Sequence, residues 1–294
     1  MKFIISSCLF FLLSTGLSVA QTQLEYNLKV GDQFTLHQNT VQNISQEISG
    51  MNIDMTNEIG GDFLMTVKEA NAESYIIEFK FTRFNYTMKS AVLGEMINVD
   101  TERDAGKEDP TSLIFNALLN VPMEFEMLKS GRIIDMTGGD NLVNSMIEAA
   151  GLTDPAEVAA MRESMSGEFG GQKFAAGFEQ FTYIYPDNPS ATKETWKNSI
   201  DGDLIADNVW TLAEVNSNGL KITGESDIQI RINNEGTEIN AEGTQTTSLS
   251  TNRKTGFMVT FHSESTAVGE SKVQALPGEN IPTTIETITD YSVD

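Results

Sequence analysis

The sequence predicts an α+β fold that is mostly antiparallel β: a large curved sheet or half-open β-barrel with a central helical insert acting as plug or lid. Three observations predict it. Apolar and polar residues alternate over unusually long stretches on both sides of the middle of the chain. Between about residues 140 and 183 the apolar spacing changes to that of helices. Each long strand also carries only one apolar face, so the sheet must wrap around something apolar, and the helices supply it. A sandwich with a helical cap is the other arrangement that satisfies these constraints.

The chain opens on Met1-Lys2, an apolar run from Phe3 to Leu13, and Ser18-Val19-Ala20. This is the pattern of a secretory signal peptide over residues 1–20, with an apolar core too short to span a membrane. Residues 21–294 are then one β-rich domain, expected in the periplasm or outside the cell of a bacterium. The only cysteine, Cys8, lies in the leader. Ile5-Ser6-Ser7-Cys8 loosely fits a lipoprotein box, but the apolar run continues past the cysteine, so acylation is not expected. Without a thiol beyond the leader, disulfides, thiolate metal sites and cysteine catalysis are excluded.

The strands follow in order. Gln33 to Ile48 and Met51 to Val67 form a hairpin turned at Ser49-Gly50. The second strand reads Met51, Ile53, Met55, Asn57, Ile59, Gly61, Phe63, Met65, Val67 on one face. The next begins Tyr75, Ile77, Phe79, Phe81 and then changes parity to Phe84, Tyr86, Met88, which predicts a β-bulge near Thr82-Arg83. Ala91 to Asp109 reads as an irregular charged connection, and Thr111 to Leu119 as a short helix. Met123–Leu128 and Arg132–Met136 form a hairpin turned by Ser130-Gly131.

In the insert, Asp140 is placed to cap a helix bearing Leu142, Val143, Met146 and Ile147, which Gly151 ends. Asp154-Pro155 opens a second helix with Met161 and Met165, and Phe174, Phe178 and Phe181 form a stripe on a third. Strands resume at Thr195 and run to Val293, separated by Asn- and Gly-rich turns.

A formal net charge of −23 argues against nucleic acid and anionic lipid headgroups as partners. No phosphate loop, dinucleotide fingerprint or nucleophile elbow occurs. Ser190-x-x-Lys193 and Lys254-Thr-Gly256 match the order of two β-lactamase motifs. However, Ser190 follows a proline-rich loop where those enzymes need a helix, and the interval is too short for their helical lobe. His37 and His262 stand in strands among polar neighbours, with no third ligand implied. Asp201-Gly-Asp203 with Asp207 and Asn208 fails the spacing of an EF-hand, and a turn explains it without a metal. The expectation is a protein that is not an enzyme, with no cofactor and no metal.

The positive signal is apolar and adaptable. Of 13 methionines, all but Met1 lie beyond the leader, and most fall in strands or helices. Methionine accommodates irregular apolar partners, so a cavity between sheet and helices suits a lipid or another hydrophobic small molecule. The expected lining is Met161, Met165, Phe174 and Phe178. The alternative is an envelope structural or assembly protein whose core these same side chains fill.

Tyr26-Asn-Leu-Lys-Val-Gly-Asp32-Gln-Phe34, Gly131-Arg-Ile-Ile-Asp135, Gly138-Gly-Asp140-Asn141-Leu142 and the strand after Ile281-Pro282 carry a resemblance. The chain resembles an uncharacterised family of exported bacterial proteins, a domain of unknown function, over most of its length. The expected architecture is also similar to the half-barrel of LolA-like periplasmic lipoprotein carriers. Neither resemblance implies catalytic residues.

Overall fold

The computed structural model describes residues 24–169, 171–188, 194–234, 236–274, 276 and 278–294. The leader and the Ser190–Lys193 pair therefore lie outside the described residues. Among them the chain forms β1 (Gln33–Ile48), β2 (Met51–Ala70), β3 (Ser74–Ser90), β4 (Gly94–Asp100), α1 (Pro110–Asn116), β5 (Met123–Leu128) and β6 (Ile133–Thr137). The helices α2 (Gly139–Ala150), α3 (Pro155–Phe169) and α4 (Gly171–Thr182) follow. The remainder is β7 (Thr195–Ile200), β8 (Leu204–Val215), β9 (Leu220–Asn234), β10 (Thr237–Thr251), β11 (Met258–Val273) and β12 (Ile281–Val293).

All twelve strands belong to one antiparallel sheet, in the order β6-β5-β3-β2-β1-β12-β11-β10-β9-β8-β7, with β4 paired to β3 beside β5. The β1–β2 hairpin turns in two residues, Ser49 and Gly50, both at positive φ, the geometry whose twist matches that of paired strands. The expected bulge is present: Asp62 pairs with Arg83 and Phe63 with Phe81, leaving Thr82 as the extra residue. It brings Phe81 and Phe84 to the same face despite their odd spacing.

Two local expectations are corrected. Residues 91–109 are more ordered than expected, containing β4 and a loop built on Asp104. The Asp104 carboxylate accepts from the Asp100 N–H, Arg103 and Lys107, and these bonds hold its pKa far below the ordinary carboxylate range. Asp140 does not cap α2; Gly138 does, at φ 92°, with Asp140 inside the first turn, where its charge meets the positive helix end.

The sheet curls so that both of its ends face one core. A single apolar cluster takes in Ile133 of β6, Phe79 and Phe125 on one flank, Leu36 and Phe63 in the centre, and Trp196 and Trp210 of β7 and β8 on the other. Leu142, Met146 and Phe178 of the helices belong to the same cluster. Between the two terminal strands lies the end of α4. On the β6 side, the Ile133 N–H donates to Glu179 Oε1 at 2.7 Å and Thr182 Oγ1 to the Gly131 carbonyl at 2.8 Å. On the β7 side, Trp196 Nε1 donates to the Ile184 carbonyl at 3.1 Å and Asn198 Nδ2 to that of Tyr183 at 2.7 Å. The Ile133 N–H of the terminal strand β6 is thus satisfied within the chain, and β7 is tied to the helix end by side chains.

One end of the curl is covered by residues 24–28. The Tyr26 N–H donates to the Lys129 carbonyl, the Asn27 N–H to that of Thr255, and the Tyr26 hydroxyl to that of Thr182. Gly131 is glycine because a Cβ there would lie 1.7 Å from the Thr182 carbonyl oxygen. The opening Tyr26–Asp32 motif is therefore structural. Its last residues turn the chain through the Lys29 N–H bond to Asp32 and pin it to β2 through the Gly31 N–H bond to the Val67 carbonyl.

Candidate functional site

The inner face of the sheet is aromatic near its covered end and meets α4 there. Phe174, Phe178 and Phe181 occupy one side of α4 at the spacing expected of a buried helix face. The Phe178 ring lies 4.7 Å from that of Phe79 and 5.3 Å from that of Phe174. Phe181 contacts Tyr291 of β12 at 4.4 Å. Burial pushes the Tyr291 phenol well above its ordinary pKa, as an apolar surrounding requires.

This packing does not fill the space. Between α4 and the inner faces of β1, β2, β3 and β12 lies a cavity of about 360 Å³. Its walls are Phe63, Phe81, Phe84, Phe174, Phe178 and Phe181, with Ile59, Leu204 and Tyr291. Polar atoms reach it from Gln38, Gln180 and Asp203. Gly177, exposed and in the middle of α4, also borders it, and a Cβ at that position would meet nothing within 4 Å.

Of the four residues expected to line a cavity, Phe174 and Phe178 do so. Met161 and Met165, on α3, are partly buried against the same core but are not in this lining. The sequence reading omitted the sheet's contribution. Phe63 and Ile59 were visible in the β2 alternation, and Phe81 and Phe84 in the parity change across the bulge. No local signal marks Gln38, Gln180 or Tyr291.

A second, larger hollow of about 690 Å³ shares Gln38 and Tyr291 with the first and is bordered by the core side chains Ile222, Leu249 and Phe261 as well as by His37, Lys221, Thr260, His262 and Asp290. Both histidines are held between carboxylates. His37 Nδ1 is 2.7 Å from Asp62 and its Nε2 3.3 Å from Asp294. His262 Nδ1 is 2.7 Å from Asp290 and its Nε2 3.2 Å from Glu264. Hydrogen bonds to these carboxylates raise both pKa values above 6.5, against a smaller opposing effect of burial.

The sign of the linkage follows from that direction. A histidine pKa raised by folding adds stability that is fully present below pH 6.5 and is lost as pH climbs through the folded-state value. Both side chains are two-fifths exposed, so each pair contributes well under ~1 kcal/mol. Urea midpoints measured from pH 5.5 to 8.5 should therefore fall slightly with rising pH, and the H37Q/H262Q double variant should flatten that slope.

Asp201-Gly202-Asp203 forms the turn between β7 and β8. Asp207 accepts a hydrogen bond from Ser199, while Asn208 turns inward to Asn198. Lys254-Thr255-Gly256 forms the turn that enters β11. No helix among the described residues is long and apolar enough to cross a membrane.

The profile of a family described as "Family of unknown function (DUF6263)" matches residues 72–258. No curated protein matches the sequence. Among solved structures, one described as "Lipid-protein interactions in lipovitellin" aligns with 91% of this chain at 11% identity and a TM-score of 0.53. The chain spans about a quarter of the length of that lipovitellin chain, 25%. An outer-membrane channel from Pseudomonas putida F1 aligns with 92% of this chain and 98% of its own, at 10% identity and a TM-score of 0.27. That score is too low to imply a common fold. The lipovitellin alignment shows a shared fold and nothing further.

Proposed function

Because this chain belongs to the family of unknown function DUF6263, which assigns it no chemistry, we propose a role from its own geometry: it binds an apolar, lipid-like ligand between sheet and helix. In this reading it is an exported protein of a bacterial envelope, not an enzyme, and α4 is the plug of a half-open barrel. Its way of holding cargo then resembles that of the LolA-like carriers.

The observation that carries the reading is Gly177. Glycine in a helix interior costs about 1 kcal/mol relative to alanine. At this position neither a left-handed backbone nor a crowded neighbour calls for it, since the Cβ site is open. Gly177 is solvent-exposed and borders the cavity beside its wall of phenylalanine rings, so the helix is kept narrow where the site opens. Apolar walls with a few polar atoms are the usual composition of small-molecule sites. The fold shared with lipovitellin, a protein described for its lipid–protein interactions, supports the same direction.

Thermal unfolding in the presence of fractionated lipid extract from the source envelope tests the proposal. A ligand present at a hundredfold its Kd stabilises the native state by about 2.7 kcal/mol, which corresponds to a Tm rise of about 5–10 °C for a domain of this size. One or more fractions should produce such a rise. Fractions that leave Tm unchanged throughout would instead favour an assembly protein with no ligand.

A further inference from the structure

We infer that the ligand of this cavity carries an uncharged saccharide head, held beside the cavity by a belt of hydroxyl and amide side chains on the inner face of the sheet. The inference rests on the reading of the cavity as a ligand site and supplies the chemistry of the ligand's other half.

The belt follows from strand register. Residues directly opposite on paired strands share a face, and so do positions two apart on one strand. Phe261, Tyr291 and Gln38 stand side by side on β11, β12 and β1, and Tyr291 and Gln38 line the cavity. Two residues farther along the strands, the next inward row includes Thr247, Ser263, Thr289 and Thr40. The row after it reads Ser226, Gln245, Ser265, Thr287, Gln42 and Asn57, on six adjacent strands. At about 4.8 Å between neighbouring strands it extends roughly 24 Å around the curl. Belt and cavity adjoin: Gln38 Nε2 donates to Thr40 Oγ1 at 3.1 Å, and Ile59 of the cavity wall is opposite Thr40.

Side-chain chemistry decides the head. Charged residues of these strands, such as Glu225, Glu242, Glu264 and Glu286, alternate to the exposed outer face. No residue of either row carries a charge, so a phosphate, carboxylate or ammonium head would leave water without a counter-charge from the belt. The hydroxyls of Ser263, Ser265 and Thr287 have no partner among the described residues. The amides are partly engaged with one another: Asn57 donates to Gln42 at 3.2 Å, and Gln245 donates to Thr247 at 3.4 Å. Hydroxyls and carboxamides both donate and accept. The adjacent hydroxyls of a sugar match that set, each donating to one side chain and accepting from another. Half-buried Tyr86 of β3, opposite Ile59, adds an aromatic surface for the C–H face of a sugar ring, and its hydroxyl donates to Asn57 at 3.4 Å.

Two variants separate head from chain. S265A/T287V deletes two hydroxyls that hold no protein group, so it should leave Tm unchanged. G177L adds a side chain at the exposed helix position bordering the cavity, where a Cβ meets nothing within 4 Å. Leucine is also a far better helix former than glycine, so G177L should fold at least as well as the parent while obstructing the chain site.

The test is calorimetric titration of the purified protein with n-decyl β-maltoside, n-decyl tetraethylene glycol ether and maltose, each below its micelle-forming concentration. The maltoside should bind at least about tenfold tighter than the ether, which has the same chain and an uncharged head without hydroxyl-bearing rings. S265A/T287V should weaken the maltoside about thirtyfold, the worth of two ordinary hydrogen bonds, and leave the ether unchanged. G177L should weaken both. Maltoside and ether of equal affinity, or a loss below about fivefold in S265A/T287V, overturns the inference while ether binding that G177L weakens keeps the ligand reading. Maltose as tight as the maltoside places a free sugar in the belt and overturns the inference together with the lipid reading. Binding of no probe overturns both.

Discussion

Truncating Phe178 to alanine should lower the stability of the protein by about 3–5 kcal/mol, the range for deleting a buried aromatic ring. The Phe178 ring is 5% exposed and joins the helix to the sheet. It meets Phe63 and Phe79 from β2 and β3, Phe125 from β5, and Phe174 and Phe181 on its own helix. Three of these rings, Phe63, Phe79 and Phe125, are anchored on strands whose ladders restrain collapse, so the void should persist in part and the cost should lie within that range. A Tm lower by on the order of 10 °C follows for a domain of this length. Denaturant unfolding of F178A gives the value. A loss below about 1.5 kcal/mol would mean that α4 rests loosely on the sheet.

The second large effect is expected at Asn198, which fastens β7 to the end of α4. Its Nδ2 donates to the Tyr183 carbonyl at 2.7 Å, and its Oδ1 accepts from Asn208 Nδ2 at 2.9 Å and Trp210 Nε1 at 3.0 Å. Asn208 in turn accepts from Ser226, and all four groups are buried. N198A removes one side chain and strands two donors and one acceptor away from water. At about 1–3 kcal/mol for each unsatisfied buried group, relieved in part by relaxation, the total should be about 3–5 kcal/mol. The same substitution frees the helix end from the β7 edge, so amide exchange across residues 178–184 should accelerate more than exchange in β1 and β2. S226A, which removes only the outer member of the network, should cost about 1 kcal/mol.

These two positions mark how far the sequence could be read. Phe178 was legible because Phe174, Phe178 and Phe181 repeat at helical spacing, a local signal. Asn198 was not, because its role depends on Tyr183 and Trp210, and nothing local says that they converge. The same division runs through the fold. The β1–β2 hairpin is explicit in strict alternation and in Ser49-Gly50, and the bulge at Thr82 in a change of parity. By contrast, β4 escaped notice because Met96 is half-exposed on its outer side, and interrupts the inward alternation of Ile97 and Val99. The start of α2 differs because Gly138 stands at the cap position, at positive φ and where a Cβ would crowd Met123 and Pro122, and no side chain caps the helix.

The cavity was legible on its helical side alone. Its sheet side combines residues from five strands, β1, β2, β3, β8 and β12, and their register brings Gln38 opposite both Gly61 and Tyr291. Pairing of the first and last strands is a long-range fact that alternation cannot announce. The methionines of α3 stand outside this lining, and their spacing could not say so. Adaptable side chains serve an ordinary core as readily as a binding pocket, and Met161 and Met165 serve the core.

Whether an apolar ligand occupies the space beside Gly177 is decided by native mass spectrometry. The protein and its G177L variant are purified in parallel from the cells in which they are made, and the bound material is recovered by solvent extraction. A stoichiometric adduct of lipid-like mass is expected on the parent protein and not on an equally folded G177L. Clean apo masses for both proteins, unchanged after incubation with envelope lipids, would contradict it, as would an adduct that G177L retains in full.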